Sequence, residues 1–391
     1  MNATGFDFES APDRRPFDCV KWSYLKGCCP DRQDDILPMW IADMDMGAPP
    51  CVVDAVRKRA DHPVYGYAGK PDGYYDSFIG WMKTRYGQTV TRESIIFSPG
   101  IVPAIASAIR AFSARGDGVV IMPPVYHPFK ALIEKNGRVV REAPLRDEGG
   151  RYVFDPDALD LAASRARILI LCSPHNPVGR VWTRDELSVV AEIAARRDIL
   201  VVSDEIHADL VYAPHRHVPS FGLSEAFSKR LVACWAPSKT FNIAGFQTSY
   251  IVVPDDGLRK AFSDETDASG IGVPNCMGTI AAEAAYRHGA PWLDAILPYL
   301  RGNYERLVDG LAREVPAIRV YPCEGTFLAW VDFRGVGLTG DVHQALVEKA
   351  GLWLDAGARF GSGGSGFARL NFGCPRSTID RAVERLAALK R

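Results

Sequence analysis

Between residues 95 and 253 the chain repeats one arrangement: a short run of consecutive apolar residues, then a longer stretch in which apolar residues recur every three or four positions. The runs are IIF (95–97), GVVIM (118–122), RILILC (167–172), DILVVS (198–203), LVACW (231–235) and SYIVV (249–253). A strand that is apolar at successive positions buries both faces, as in a parallel sheet covered by helices on each side. The stretches IVPAIASAIRAFSAR and TRDELSVVAEIAARR supply such helices, and Thr183 followed by Glu186 is a capping-box start. The middle of the chain is therefore predicted to be α/β.

Near residue 290 the pattern changes to a long helical segment (292–314), strand-like IRVY and TFLAWVDF, a helix near 340–350, strand-like FARLNF and the amphipathic STIDRAVERLAALKR. This predicts a smaller, separate α+β layer. Open parallel sheets bind ligands beyond the carboxyl ends of their strands. The polar residues that follow each apolar run are thus the candidates for chemistry.

Composition removes several function classes. The 391 residues are 47% hydrophobic, enough for a large core, and 46 Lys plus Arg against 47 Asp plus Glu give a net charge of -1 with no long block of one sign. Nothing in that balance favours nucleic acid or an anionic membrane, so small molecules are the expected partners. The opening MNATGFDFESAPDRRPFD has no apolar leader, and no apolar run approaches the roughly 20 residues of a membrane span; a cytoplasmic protein is expected. The nine cysteines include no CxxC pair, and adjacent Cys28 and Cys29 match neither zinc-ligand nor redox spacing. There is no HExxH, and His215-Arg216-His217 reads as loop decoration, so no metal is expected.

Four motifs stand at the strand ends: SPGIVPAI after IIF, SPHNPVG after RILILC, DEIH after DILVVS, and APSK after LVACW. Ser98, Gly100, Ile101 and Val102 open a helix whose first backbone N–H groups suit an anion such as phosphate, with the Ser238 hydroxyl as a further donor. Asn176 is an amide able to donate to a phenolate. Asp204 leaves a strand with almost no polar company, and its charge requires a cationic partner. Lys239 stands among small and apolar residues; a lysine held away from water has a lowered pKa and a nucleophilic neutral amine, as a Schiff-base lysine requires. Each feature alone has an ordinary structural explanation as a turn, a cap or a surface charge. Together they meet the needs of pyridoxal 5′-phosphate (PLP).

The order SPG, PVYHPF, NPVG, DEIH, SKTFNIAG and a late arginine in FARLNFG resembles the fold-type I PLP enzymes, the aspartate aminotransferase superfamily, over almost the whole chain. Within it, LPMWIADMDM (37–46), YGYAG (65–69), PVYHPF (124–129), SDEIHADL (203–210) and SKTFNIAG (238–245) resemble the cystathionine β-lyase branch known as the MalY/PatB family. The resemblance implies a large PLP-binding domain, 49–288, with a mainly parallel seven-stranded sheet, and a small α+β domain from 1–48 and 289–391. It implies that Lys239 forms the Schiff base, Asp204 partners the pyridinium nitrogen, Asn176 donates to the phenolate oxygen and Tyr126 stacks on the ring. Gly100, Ile101, Val102 and Ser238 would hold the phosphate, joined by a tyrosine from a second subunit, Tyr65 in preference to Tyr67; a homodimer follows. Arg369 would clamp the substrate α-carboxylate, with Asn176, Ala42 and His127 also facing substrate. His207, where many aminotransferases carry a tyrosine, would either contact the phenolate oxygen or support Asp204.

Many aminotransferases of the superfamily carry a phosphate-binding arginine eight residues beyond the Schiff-base lysine; here that position is Gln247, and the MalY-like branch also tends to lack that arginine, so the departure favours a lyase. The expected reaction is β-elimination from cystathionine or another S-substituted cysteine. Transamination by the same residues is the rival, and a regulatory protein that retains the PLP fold is a third reading. The segment Gly361-Ser-Gly-Gly-Ser-Gly366 matches GxGxxG literally but runs into a strand instead of opening a helix, so it reads as a flexible loop before Arg369 and not as a dinucleotide site.

Overall fold

The computed structural model of the protein describes residues 5–28 and 35–390. The Cys28–Cys29 pair falls outside the described side chains. Seven strands form the central sheet: β1 (Ile95–Ser98), β2 (Gly118–Ile121), β3 (Val139–Glu142), β4 (Ile168–Cys172), β5 (Leu200–Asp204), β6 (Leu231–Trp235) and β7 (Ser249–Val252). Their spatial order is β1-β7-β6-β5-β4-β2-β3. Only β7 runs antiparallel to its neighbours; the other pairs are parallel. Every apolar run of the sequence is a strand. β3 has no such run to announce it, because it is an edge strand with no fully buried residue and includes Arg141 and Glu142.

Both faces of the sheet are buried, as consecutive residues show. Ile168 and Ile170 pack into one cluster with Ile105, Phe129 and Phe262, while Leu169 and Leu171 pack into the other with Trp182 and Leu187. Burying one such side chain contributes about 1.5–3 kcal/mol before ordering costs. The helix Arg184–Arg197 starts at the expected box: Thr183 Oγ1 accepts from the Glu186 N–H at 3.2 Å and Glu186 Oε2 from the Thr183 N–H at 2.8 Å.

Toward the C-terminus, β8 (Arg319–Val320), β9 (Leu328–Asp332), β10 (Asp355–Ala356) and β11 (Phe367–Asn371) form a second sheet in the order β8-β9-β11-β10, antiparallel throughout. It is flanked by the helices Ala290–Glu314 and Arg376–Leu386, which approach closely at Gly310: a Cβ there would lie 2.9 Å from Val383. The N-terminal segment joins this part of the chain, since Leu37 and Pro38 pair in parallel with Leu352 and Trp353. That long-range pairing brings the following residues, Met39–Met46, across the end of the central sheet.

Candidate active site

The carboxyl ends of β4, β5 and β6 are level, because Cys172 pairs with Asp204 and Asp204 with Cys234. Residues just beyond this edge therefore meet, and Asn176, Asp204 and Lys239 line one cavity of about 390 Å³. Asp204 is buried and its carboxylate accepts from the Ile206 N–H at 3.2 Å. Among the described residues it forms no ion pair. Burial pushes its pKa up to about 7, against weaker pulls from that N–H and from the charge of Lys239. A carboxylate so placed is completed by a cation or by a donor that shares its proton.

Lys239 lies on the short helix Pro237–Thr240. Burial lowers its amine to about 8, opposed by the charge of Asp43, and Nζ donates to the Ala42 carbonyl at 2.5 Å. The next residue pins the helix: Thr240 donates to Asp209 at 2.8 Å, and Asp209 also accepts from Trp81 Nε1 at 2.9 Å and the Tyr86 hydroxyl at 2.6 Å. Among the described residues, three donors and no cation hold that buried carboxylate.

Gly100 caps the helix Ile101–Phe112, whose first turn has no acidic residue. The Ser98 hydroxyl donates to the Gly100 carbonyl at 2.8 Å and shapes the turn. The N–H groups of Ile101 and Val102 have no acceptor within the helix, and the cavity includes them together with Gly100, Ser238, Gln247 and Thr248. These are neutral donors at the positive end of a helix dipole, chemistry suited to a phosphate.

Across the cavity, Arg369 on β11 faces Asp355 on β10 as a cross-strand pair. Arg369 Nη2 donates to Asp355 Oδ2 at 2.8 Å and to the Trp40 carbonyl at 2.9 Å, and Nη1 donates to Asn176 Oδ1 at 2.9 Å. The last bond occupies the oxygen of the Asn176 amide, so its NH2 end is left for a ligand. Arg369 Nε is buried without a partner among the described residues. Burial lowers the pKa of this guanidinium, with Asp355 and Tyr126 opposing. His127, whose Nε2 is 3.8 Å from Asp355 Oδ2, is lowered to about 4, first by burial and then by the charge of Arg359, and is neutral at neutral pH. Tyr126 lines the cavity and rests edge-on against Phe129, ring centroids 5.4 Å apart. His207 is buried in the same cavity with Nδ1 unpartnered; burial holds it neutral, and no hydrogen bond joins it to Asp204 among the described residues.

Met39–Met46 is held over the cavity by its own backbone. Asn371 Nδ2 donates to the carbonyls of Ile41 and Asp43, at 2.6 and 2.5 Å, and Asn242 Nδ2 to those of Met44 and Met46, at 3.0 and 2.8 Å. Asn242 has φ 56, a left-handed conformation that asparagine tolerates better than most residues. Nothing in the sequence pattern marks these two clamps.

Thus Gly100, Ile101, Val102, Tyr126, Asn176, Asp204, His207, Ser238, Lys239, Ala42, His127 and Arg369 converge on one cavity. Tyr65 does not: it is 58% exposed, its hydroxyl donates to the Ala60 carbonyl at 2.6 Å and its ring lies against Arg59. Sequence reasoning missed Asp355 and Arg359, which also line the cavity; a two-residue strand gives no apolar run to locate them. The glycine-rich segment is a turn that runs into β11 and opens no helix, as expected: Gly361, Gly363 and Gly366 have positive φ, a Cβ at Gly364 would lie 2.0 Å from the Gly357 carbonyl oxygen, and Gly366 is hydrogen-bonded to Gly340 and Phe333. One expectation is corrected. His217 is not loop decoration but a buried partner of Glu205, at 2.6 Å. No group of side chains among the described residues is arranged to hold a metal ion.

The donor set fits PLP. The buried Asp204 has no ionic partner for a pyridinium to displace, the Asn176 NH2 is free for a phenolate, the capped helix offers N–H groups for a phosphate, and Lys239 has a depressed pKa.

Comparison with known proteins agrees. The family described as aminotransferase class I and II matches residues 36–386. Cystathionine beta-lyase PatB of Bacillus subtilis is 41% identical over 98% of this chain and 99% of its own. A PLP-bound putative aminotransferase from Clostridium difficile superposes with a TM-score of 0.96 at 38% identity, over 99% of this chain and 100% of the other. Cystalysin from Treponema denticola, whose structure contains PLP, gives 0.94 at 34% identity over 98% of each chain. The chain belongs to the aminotransferase class I and II family, in its MalY/PatB branch.

Proposed function

We propose that the protein is a PLP-dependent carbon–sulfur β-lyase that cleaves L-cystathionine or a related S-substituted L-cysteine to a thiol, pyruvate and ammonia. The observation that carries this reading is the 41% identity, along nearly the entire chain, to a protein named for that reaction. PLP, when bound, supplies the electron sink that acidifies the substrate's Cα–H bond.

The chain's own residues do the rest. Asp204 would hold a proton at the ring nitrogen, the Asn176 amide would donate to the phenolate oxygen and Tyr126 would cover the ring. The N–H groups of Gly100, Ile101 and Val102 and the Ser238 hydroxyl would hold the phosphate. Arg369 orients the α-carboxylate, and Ala42 and His127 border the substrate. Lys239 would anchor the cofactor and, with its amine lowered to about 8 by burial, would take the substrate's Cα proton as base. Sulfur then departs with the electron pair of the Cβ–S bond as a thiolate. The three-carbon remainder takes up water and becomes pyruvate and ammonia.

On this reading the active unit is a homodimer, in which Tyr65 serves the partner's phosphate site; its exposure, with that of Val64 and Tyr67, supports the assignment. The division into 49–288 and the joined 1–48 and 289–391 is supported by the pairing of Leu37 with Leu352. A cytoplasmic setting is supported by the free state of the described cysteines. No helix of the described residues is long and apolar enough to cross a membrane.

The fate of sulfur tests the reaction. Elimination releases one free homocysteine thiol for each L-cystathionine consumed, whereas transamination leaves the thioether intact; substrate loss without thiol would refute the lyase.

A further inference from the structure

Among the described residues lining the cavity, Lys239, Asp204 and Arg369 have tasks in the proposed reaction and Asp355 neutralises Arg369; Arg359 has none. It lies in the turn Gly357–Phe360, immediately after β10, and its side chain is 51% exposed although it borders the cavity, which puts it at the rim. Its hydrogen bond to Asp355 Oδ1, 2.8 Å from Nη1, engages one of five N–H donors. The other Asp355 oxygen is taken by Arg369 Nη2, also at 2.8 Å.

Two guanidiniums thus flank a single carboxylate, and the two bonded nitrogens are at most about 8 Å apart. One negative charge between two positive ones leaves the pair with an excess of positive charge. Neighbouring His127 adds neither charge at neutral pH nor a competing anion. Arginine's planar fork matches carboxylates in particular.

We propose that Arg359 binds a carboxylate carried on the sulfur substituent, so that the preferred substrates are S-substituted L-cysteines whose leaving thiol ends in a carboxylate. This rests on the lyase reading. With Arg369 holding the α-carboxylate, a chain of Cα, Cβ, sulfur and two methylenes spans a distance comparable to that between the two arginines. Arg359 is a specificity residue in this account; it reaches neither the proton that moves nor the bond that breaks.

The experiment uses the holoenzyme and two ligands of equal size, S-(2-carboxyethyl)-L-cysteine and its carboxamide, S-(2-carbamoylethyl)-L-cysteine. Their α-methyl forms have no Cα proton to lose, so calorimetry reads binding without turnover. The wild type is expected to bind the α-methyl carboxylate about tenfold tighter than the α-methyl carboxamide, a ratio that falls to about one in Arg359→Gln and is partly kept in Arg359→Lys. A ratio near one in the wild type, or an unchanged ratio in Arg359→Gln, overturns the proposal. Pyruvate release from the unmethylated compounds is measured alongside: if neither yields pyruvate, the lyase reading falls and the substrate class with it, whereas pyruvate without selectivity removes only the role of Arg359.

Discussion

The two sides of the cavity treat a buried carboxylate in opposite ways. On the cofactor side, Asp204 ends β5 accepting one backbone N–H and, among the described residues, forms no ion pair. On the substrate side, Asp355 is shared between Arg369 and Arg359. An unpaired buried charge costs several kcal/mol and is retained where a ligand completes it. A charge already paired must be competed for, so a substrate carboxylate reaching Arg369 enters an existing network. The cofactor side is built to receive a charge, and the substrate side to exchange one.

The largest effects break the cofactor side. Lys239→Ala should reduce pyruvate formation by about 10³-fold or more and abolish the visible absorbance of lysine-bound cofactor. Normal turnover in that variant would remove Lys239 from the chemistry. On the substrate side, Arg369→Ala deletes one partner of a buried pair, and kcat/KM should fall by about 10²-fold or more with a clear rise in KM. A loss confined to kcat would place Arg369 away from the carboxylate.

A smaller change sharpens the contrast. Asp355→Asn frees Arg369 from its internal competitor, so KM for a substrate with a single carboxylate should drop by about fivefold, while a urea titration shows the protein less stable. An increase in KM would mean that Asp355 positions Arg369 instead of competing with the substrate.

The remaining effect concerns pH. Without cofactor, Asp204 has a folded-state pKa near 7, above its ordinary value of 3.8. Its favourable contribution is therefore complete below about pH 4 and lost as pH rises through 7. Asp204→Asn should gain in Tm relative to the cofactor-free wild type across that interval, and the gain should vanish or reverse when PLP is bound. A pH-independent difference would show that Asp204 is not buried as described.

Legibility in the sequence followed the same division. Lys239, Asp204 and Asn176 each stand within a few residues of an apolar run, so a pattern of strands was enough to bring them together. β3 escaped because an edge strand with Arg141 and Glu142 has no two-sided apolar signature. Asp355 and Arg359 escaped because β10 has two residues and owes its place to pairing with β11. The Asn242 and Asn371 clamps on Met39–Met46 join residues about 200 and 330 positions apart, beyond any local periodicity. Arg369 was reached through resemblance, since an arginine on a short strand is ordinarily a surface residue.

The reaction proposed for the cavity is elimination. Its most direct test is to incubate the PLP-loaded wild type with L-cystathionine in the absence of any keto acid and to quantify pyruvate and ammonia over many turnovers. Sustained, equimolar release of both is the predicted result. A single equivalent of keto product per active site, resuming only when a second keto acid is added, would contradict it and make the protein an aminotransferase.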